Sequence, residues 1–115
     1  MIAAIEPWHG NQVVVYDSNG KSRKVIDSSL VDGHTIIATD LRGDHHQQII
    51  AGYRGKGTSV YVYDLVNNDW TRTLLDDKMA AAACAAADLN GDGRIDIVCI
   101  GSSTTNLKWY ENVGR

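Results

Sequence analysis

The sequence has no phenylalanine, one proline and two cysteines in 115 residues. Its formal net charge of −3 gives no reason to expect a nucleic acid or an anionic membrane as a partner. No apolar run approaches the roughly 20 residues that cross a bilayer. The N-terminus lacks the basic start and apolar segment of a secretion signal. The length suits one small domain, and the hydrophobic fraction of 43% argues against disorder.

The two cysteines lie in apolar surroundings and do not have CxxC spacing. Cys84 sits among alanines and Cys99 between valine and isoleucine. This setting predicts buried free thiols rather than a redox pair, with a bridge between them as the alternative.

The chain repeats itself with a period of 47 to 48 residues. Tyr16, Tyr63 and Tyr110 follow one another at intervals of 47, and each precedes an acidic residue. Asp40 and Asp88, each followed by leucine, lie 48 residues apart. A period of this length filled with short strands predicts a propeller or solenoid array.

Apolar runs bounded by turn residues predict up to four antiparallel strands, a to d, in each period. We expect strand a at 34–40 and 81–88, b at 1–6, 47–53 and 96–101, c at 11–17, 59–64 and 107–112, and d at 22–28 and 70–76. The predicted fold is all-β and consists of β-propeller blades. The chain would hold a partial blade (1–30), a full blade (31–78) and a partial blade (79–115), which leaves the ring incomplete.

The alanine-rich segment from Met79 to Ala87 has two interpretations. Intrinsic propensity alone favours a helix. Its register with residues 34–39 predicts strand a instead, because small side chains fit where the innermost strands of a propeller converge.

The stretch Asp88–Asp96 has the spacing of a calcium loop. Oxygen-bearing side chains stand at positions 1, 3, 5 and 9, and a glycine stands at position 6. Calcium takes six to eight oxygen ligands, and a backbone carbonyl at position 7 completes such a set. The predicted ligands are Asp88, Asn90, Asp92, the carbonyl of Arg94, and Asp96. An acidic turn without metal is the alternative.

An EF-hand would continue into a helix and place a glutamate at position 12. Here position 12 is Cys99, within an apolar and β-rich run. This loop therefore leads into a strand and is not half of an EF-hand.

The loop, the following Ile97-Val98, Gly101 and the segment Leu107–Asn112 together resemble the FG-GAP or VCBS-type repeat of calcium-binding β-propellers. The sequence departs from that pattern where Cys99-Ile100-Gly101 stands in place of Phe-Gly. The resemblance implies a structural Ca²⁺ and an extracellular or periplasmic location.

The equivalent earlier loop, Asp40–Gln48, is degenerate. Position 3 is arginine, position 6 is histidine and position 9 is glutamine. Fewer carboxylates and an added cation predict little or no calcium binding. We expect Arg42 to take the place of the ion and pair with Asp40 and Asp44. The two adjacent histidines are interpreted as solvated turn residues rather than zinc ligands.

Turns between strands b and c, with the start of strand a, are expected on the propeller face opposite the calcium loop. Imidazole, guanidinium, ammonium, amide and indole groups gathered there could hold a sugar or an anion. Ordinary polar loop residues are the alternative. The candidate ligand residues are Trp8, His9, His34, Arg54, Lys56 and Asn106.

Three functions are open. The resemblance implies a non-catalytic recognition module for carbohydrate or a protein partner. Similar repeats also form the propeller of sugar-acting lyases, which are aldos-2-ulose dehydratase-like. In that case His9 and His34 would act as base or metal ligands and Arg54 would stabilise an anion, with Glu6 as the one carboxylate on that face. The third possibility is a purely structural, self-assembling segment.

An open set of blades would expose sheet faces and strand edges. The chain is therefore expected either to be part of a longer propeller or to close a ring with copies of itself. The preferred arrangement is a dimer with six blade positions.

Overall fold

The computed structural model describes residues 1–114, and these fold into ten strands in three antiparallel sheets. The described residues contain no helix, and so none that is long enough to cross a membrane. The strands are β1 (Ile2–Glu6), β2 (Gln12–Tyr16), β3 (Arg23–Asp27), β4 (Gly33–Thr39), β5 (Gln48–Tyr53), β6 (Val60–Val66), β7 (Asp69–Asp76), β8 (Ala81–Ala87), β9 (Asp96–Gly101) and β10 (Leu107–Tyr110).

The sheets follow the order of the chain. The first contains β1-β2-β3, the second β4-β5-β6-β7 and the third β8-β9-β10, with sequential neighbours paired throughout. The prediction of an all-β fold of propeller blades is confirmed, and the ring they form is open. The alanine-rich segment is strand β8, so the helix interpretation is wrong.

Strand β5 lies at the centre of the molecule, and all six of its residues are buried. Successive side chains of a strand point to opposite faces of the sheet. Ile49 therefore belongs to an apolar core with the first sheet, and Ile50 to a second core with the third sheet. Gly52 is required here, because a Cβ at this position would lie 2.9 Å from the Cβ of Ala81.

Each contact between sheets also contains a partly buried polar pair. Tyr63 of the second sheet donates a hydrogen bond to Asp27 of the first, with 2.6 Å between the oxygens. Tyr110 of the third sheet donates in the same way to Asp76 of the second, at 2.7 Å. The repeat therefore reproduces this carboxylate contact as well as the strands.

A disulfide joins Cys84 of β8 to Cys99 of β9. The two residues are directly opposite in the antiparallel register, with their Cα atoms 4.1 Å apart. The prediction of free thiols is wrong, because the hairpin brings the two cysteines face to face.

We expect the Cys84→Ala/Cys99→Ala double variant to lose about 3 kcal/mol of unfolding free energy, the amount expected for a cross-linked loop of roughly 15 residues. Urea denaturation followed by circular dichroism measures the loss. Reduction of the parent protein should reproduce it and leave the double variant unchanged. A parent protein whose stability does not respond to reduction would contradict the assignment.

The interface aspartates make stability depend on pH. Burial would raise the pKa of Asp76, but bonds donated by Lys108 and Tyr110 outweigh it and lower the pKa below its ordinary value. The pKa of Asp27 is lowered in the same way, because hydrogen bonds from Ser29, Tyr63 and Arg72 outweigh the effect of burial. A carboxylate with a lowered folded pKa contributes its full stability above its unfolded pKa, about 4, and loses it as the pH falls through the folded value.

We therefore expect the unfolding free energy to decrease as the pH falls below about 4. Asp76→Asn should be less stable than the parent at pH 7 and less sensitive to acid. Asp69→Asn, a change at an exposed aspartate, is the control and should match the parent. Equal acid sensitivity of Asp76→Asn and the parent would exclude Asp76 as the cause.

Candidate functional site

The loop Asp88–Asp96 joins β8 to β9 and is organised by its first carboxylate. Asp88 Oδ1 accepts hydrogen bonds from the amides of Gly91 and Asp92 at 2.8 and 3.2 Å. Asp88 Oδ2 accepts one from the amide of Gly93 at 2.8 Å. Gly91 and Gly93 have φ values of 76° and 85°, a region that favours glycine.

The remaining candidate ligands also have partners within the protein. Asp92 Oδ1 accepts from the amide of Arg94 at 2.9 Å, and the Arg94 guanidinium lies 3.4 Å from Asp92 Oδ2. Asn90 donates its side-chain amide to Glu111 at 2.9 Å. Within residues 1–114, no three acidic, histidine or cysteine side chains are arranged closely enough to hold a metal ion.

Asp96 is the last residue of the loop and is fully buried. Its carboxylate accepts the amide of Asn112 at 2.8 Å and that of Leu89 at 3.0 Å. The Asn112 bond is the main reason that the pKa of Asp96 lies below its ordinary value. The Asn112 side chain in turn donates to the carbonyl of Leu41 at 2.7 Å, which connects the loop to the second sheet.

The degenerate loop has the same backbone arrangement. Asp40 accepts bonds from the amides of Gly43, Asp44 and His45 at 2.8, 3.2 and 2.7 Å. His45 has a φ of 70°, so a histidine holds the conformation that Gly93 has in the other loop. Two sequences of different charge therefore adopt one loop shape, because the first aspartate sets it in both.

One of the two partners predicted for Arg42 is confirmed, and the other is wrong. Arg42 Nε lies 3.1 Å from Asp44, as expected, but its second partner is Asp64 rather than Asp40. Both oxygens of Asp40 accept backbone amides, and the guanidinium instead reaches Asp64 of the neighbouring strand β6. A cleft of about 550 Å³ separates the two loops, with Arg42 and Arg94 among its lining residues.

The opposite ends of the strands bring together three aromatic rings from the predicted ligand face. The ring of His9 lies 4.3 Å from the Trp8 ring and 4.9 Å from the His34 ring, between centroids. His9 belongs to the β1–β2 turn, and His34 is the second residue of β4. Trp8 is 84% exposed and forms the outer end of the stack.

Asp32 joins this stack to Arg54. Asp32 lies 3.8 Å from His9 Nδ1 and 3.2 Å from Arg54 Nη2. Sequence reasoning missed Asp32 and placed Glu6 on this face as the one carboxylate. Glu6 instead pairs with Tyr16 and Arg23 of its own sheet. The signal for Asp32 was its position in the Asp-Gly turn that leads into β4.

Two nitrogens of this cluster are shielded from solvent without a partner among the described residues, namely His9 Nε2 and Arg54 Nε. His34 Nδ1 lies 2.6 Å from the carbonyl oxygen of Ala82. Because a carbonyl only accepts, Nδ1 carries the hydrogen and Nε2 of a neutral ring remains an acceptor.

The other two predicted ligand residues lie outside this cluster. Lys56 is exposed in the turn that follows Arg54. Asn106 bonds to Thr104 and to the carbonyl of Lys78. The structure thus joins four of the six predicted residues through Asp32, and we name this group (Trp8, His9, Asp32, His34 and Arg54) the aromatic–arginine cluster.

Comparison with known proteins gives one finding. A family model described as an FG-GAP-like repeat matches residues 40–99, which begin at the first aspartate of the degenerate loop and end within β9. Searches of curated proteins and of solved structures gave no significant match.

Proposed function

The chain belongs to the FG-GAP-like repeat family, and from this premise we propose that it is a calcium-stabilised recognition module that binds carbohydrate. The observation that supports this proposal is the aromatic–arginine cluster, at the ends of the strands opposite the loop Asp88–Asp96. Its exposed indole offers a flat apolar surface, and the partly exposed side chains of His9 and Arg54 offer polar contacts.

The chemistry of the cluster suits a sugar. An aromatic ring packs against the apolar C–H face of a pyranose, and a few convergent polar groups fix its hydroxyls. Trp8 provides the ring. The partly exposed side chains of His9 and Arg54 lie beside it and provide polar groups for the hydroxyls. The pairing of Arg54 with Asp32 reduces the net charge of the site, which favours a neutral glycan over a strong anion.

The calcium ion is proposed at the loop Asp88–Asp96. Supporting this are the hard oxygen donors of Asp88, Asn90, Asp92 and Asp96 with the carbonyl of Arg94, at the positions that calcium loops use. Asp88 Oδ2 and the carboxylate oxygens of Asp92 and Asp96 accept at most one backbone amide each, which leaves a lone pair for an ion. Asp96 would link a bound ion to the second sheet through Asn112.

We further propose an extracellular or periplasmic location. The disulfide between Cys84 and Cys99 supports it, because disulfides persist in oxidising compartments.

We expect millimolar Ca²⁺ to raise the thermal unfolding midpoint of the parent protein, since a ligand that binds only the folded state adds about 2.7 kcal/mol at 100 times its Kd. Asp92→Asn should lose most of this gain, because it removes a charged ligand. Asp44→Asn makes the same change at position 5 of the degenerate loop and should keep the gain.

Isothermal titration with Ca²⁺ gives the stoichiometry, which we expect to be one. No heat and no stabilisation in the parent protein would refute the calcium site. Equal losses in Asp92→Asn and Asp44→Asn would show that the response is not specific to the loop Asp88–Asp96.

We expect the protein to be retained on a subset of immobilised neutral glycans and Trp8→Ala to bind them at least about thirtyfold more weakly, the usual cost of removing an aromatic residue at the centre of a site. Leu65→Ala, at an exposed apolar residue on β6, is the control and should bind as the parent does. Glycan binding that Trp8→Ala does not weaken would place the site elsewhere. Absence of binding to every glycan would refute the carbohydrate proposal.

A further inference from the structure

The third sheet has one apolar face that nothing in the described chain covers. Side chains alternate along its strands, so Cys84, Ile97, Cys99 and Tyr110 pack against the second sheet, and their sequence neighbours point the other way. Leu107 is 70% exposed, and Ile100 and Trp109 are about half exposed. We name this surface the open face, and it consists of Ala83, Ala85, Val98, Ile100, Leu107 and Trp109.

The second sheet has an equivalent face one period earlier in the chain, and there the face is buried. Ala85, Val98 and Trp109 lie side by side in the third sheet, and their counterparts one period earlier are Ile37, Ile50 and Val62 of the second sheet. Those three counterparts pack against the third sheet in the second apolar core. The open face is therefore a copy of a surface that is buried by a following sheet.

The first sheet presents the complementary surface. Ile2 pairs with Tyr16 across β1 and β2, just as Ile49 pairs with Tyr63 in the second sheet. Ile49 and Tyr63 are buried against the preceding sheet in the first apolar core. Ile2, by contrast, is 56% exposed. We name this surface, with Ile2, Ala4 and Tyr16, the first-sheet face.

The polar contacts also fit a pairing of these two surfaces. Tyr63 and Tyr110 each bond to an aspartate of the preceding sheet. Tyr16, their counterpart, bonds instead to Glu6 of its own sheet, and Arg23 pairs with the same carboxylate. A neighbour on the first-sheet face therefore need not supply a carboxylate, and the open face has none.

We propose that the open face of one chain packs against the first-sheet face of a second copy, with two such contacts related by a two-fold axis. A second copy is the occupant because one chain carries both halves of a contact that it already makes twice internally. Three sheets from each copy give six, within the four to eight that closed propellers contain. The association does not depend on the aromatic–arginine cluster, which lies outside both surfaces.

Sedimentation equilibrium of the full chain tests this association. The parent protein should be a dimer. Trp109→Glu on the open face and Ile2→Lys on the first-sheet face should each weaken dimerisation at least about thirtyfold, because each places a charge in a desolvated contact. Leu65→Glu, at an exposed apolar residue outside both faces, should leave it unchanged. All three positions are exposed, and circular dichroism confirms that the variants fold.

A mixture of the two monomeric variants separates this pairing from its alternative. Trp109→Glu keeps its first-sheet face and Ile2→Lys keeps its open face, so a mixed pair has one parental contact and one lysine–glutamate contact. We expect the mixture to dimerise although neither variant does alone. A monomeric parent protein would overturn the proposal. So would dimerisation of Ile2→Lys alone, since it would mean that two open faces pair with each other.

Discussion

The need to cover both faces of every sheet governs this fold. Strand β5 satisfies it completely, because Ile49 and Ile50 point in opposite directions and both are fully buried. A sheet with apolar residues on both faces gains hydrophobic stabilisation from each neighbour that covers one of them. The side-by-side order of the three sheets follows from this requirement, as does the repetition of the tyrosine–aspartate contact at each junction.

The two acidic loops have the same backbone shape although their side chains differ. Asp88 and Asp40 accept equivalent backbone amides, and the two loops follow the same path. The side chains at the other positions are then free to differ, which is why arginine and histidine stand in one loop where asparagine and glycine stand in the other. The blade turn is thus held by one carboxylate, and the other side chains of the loop are not needed for its shape.

The sequence was sufficient to predict the features that repeat. The spacing of Tyr16, Tyr63 and Tyr110 gives the period, and the period predicts where the strands lie. Its register with β4 predicts that the alanine-rich β8 is a strand in spite of its helix propensity. Features that occur once were harder to predict. Asp32 contacts Arg54 from a different turn, and neither turn carries a motif that repeats along the chain. Arg42 pairs with Asp64 of a neighbouring strand, a contact that the spacing within its own loop does not predict. The cysteine pair was recoverable in principle, since the β8–β9 hairpin places Cys84 opposite Cys99.

The carboxylate contact between sheets has a consequence for cooperativity. An open row of three sheets contains two such junctions, so the middle sheet takes part in both and each outer sheet in one. In a one-dimensional array, stability is the sum of unit terms and nearest-neighbour terms, so the terminal sheets contribute least and fray first. Joining the ends of such rows would remove the termini and give every sheet a neighbour on both sides. Local opening would then have no preferred starting point, and unfolding would become a property of the whole circle rather than of its weakest edge.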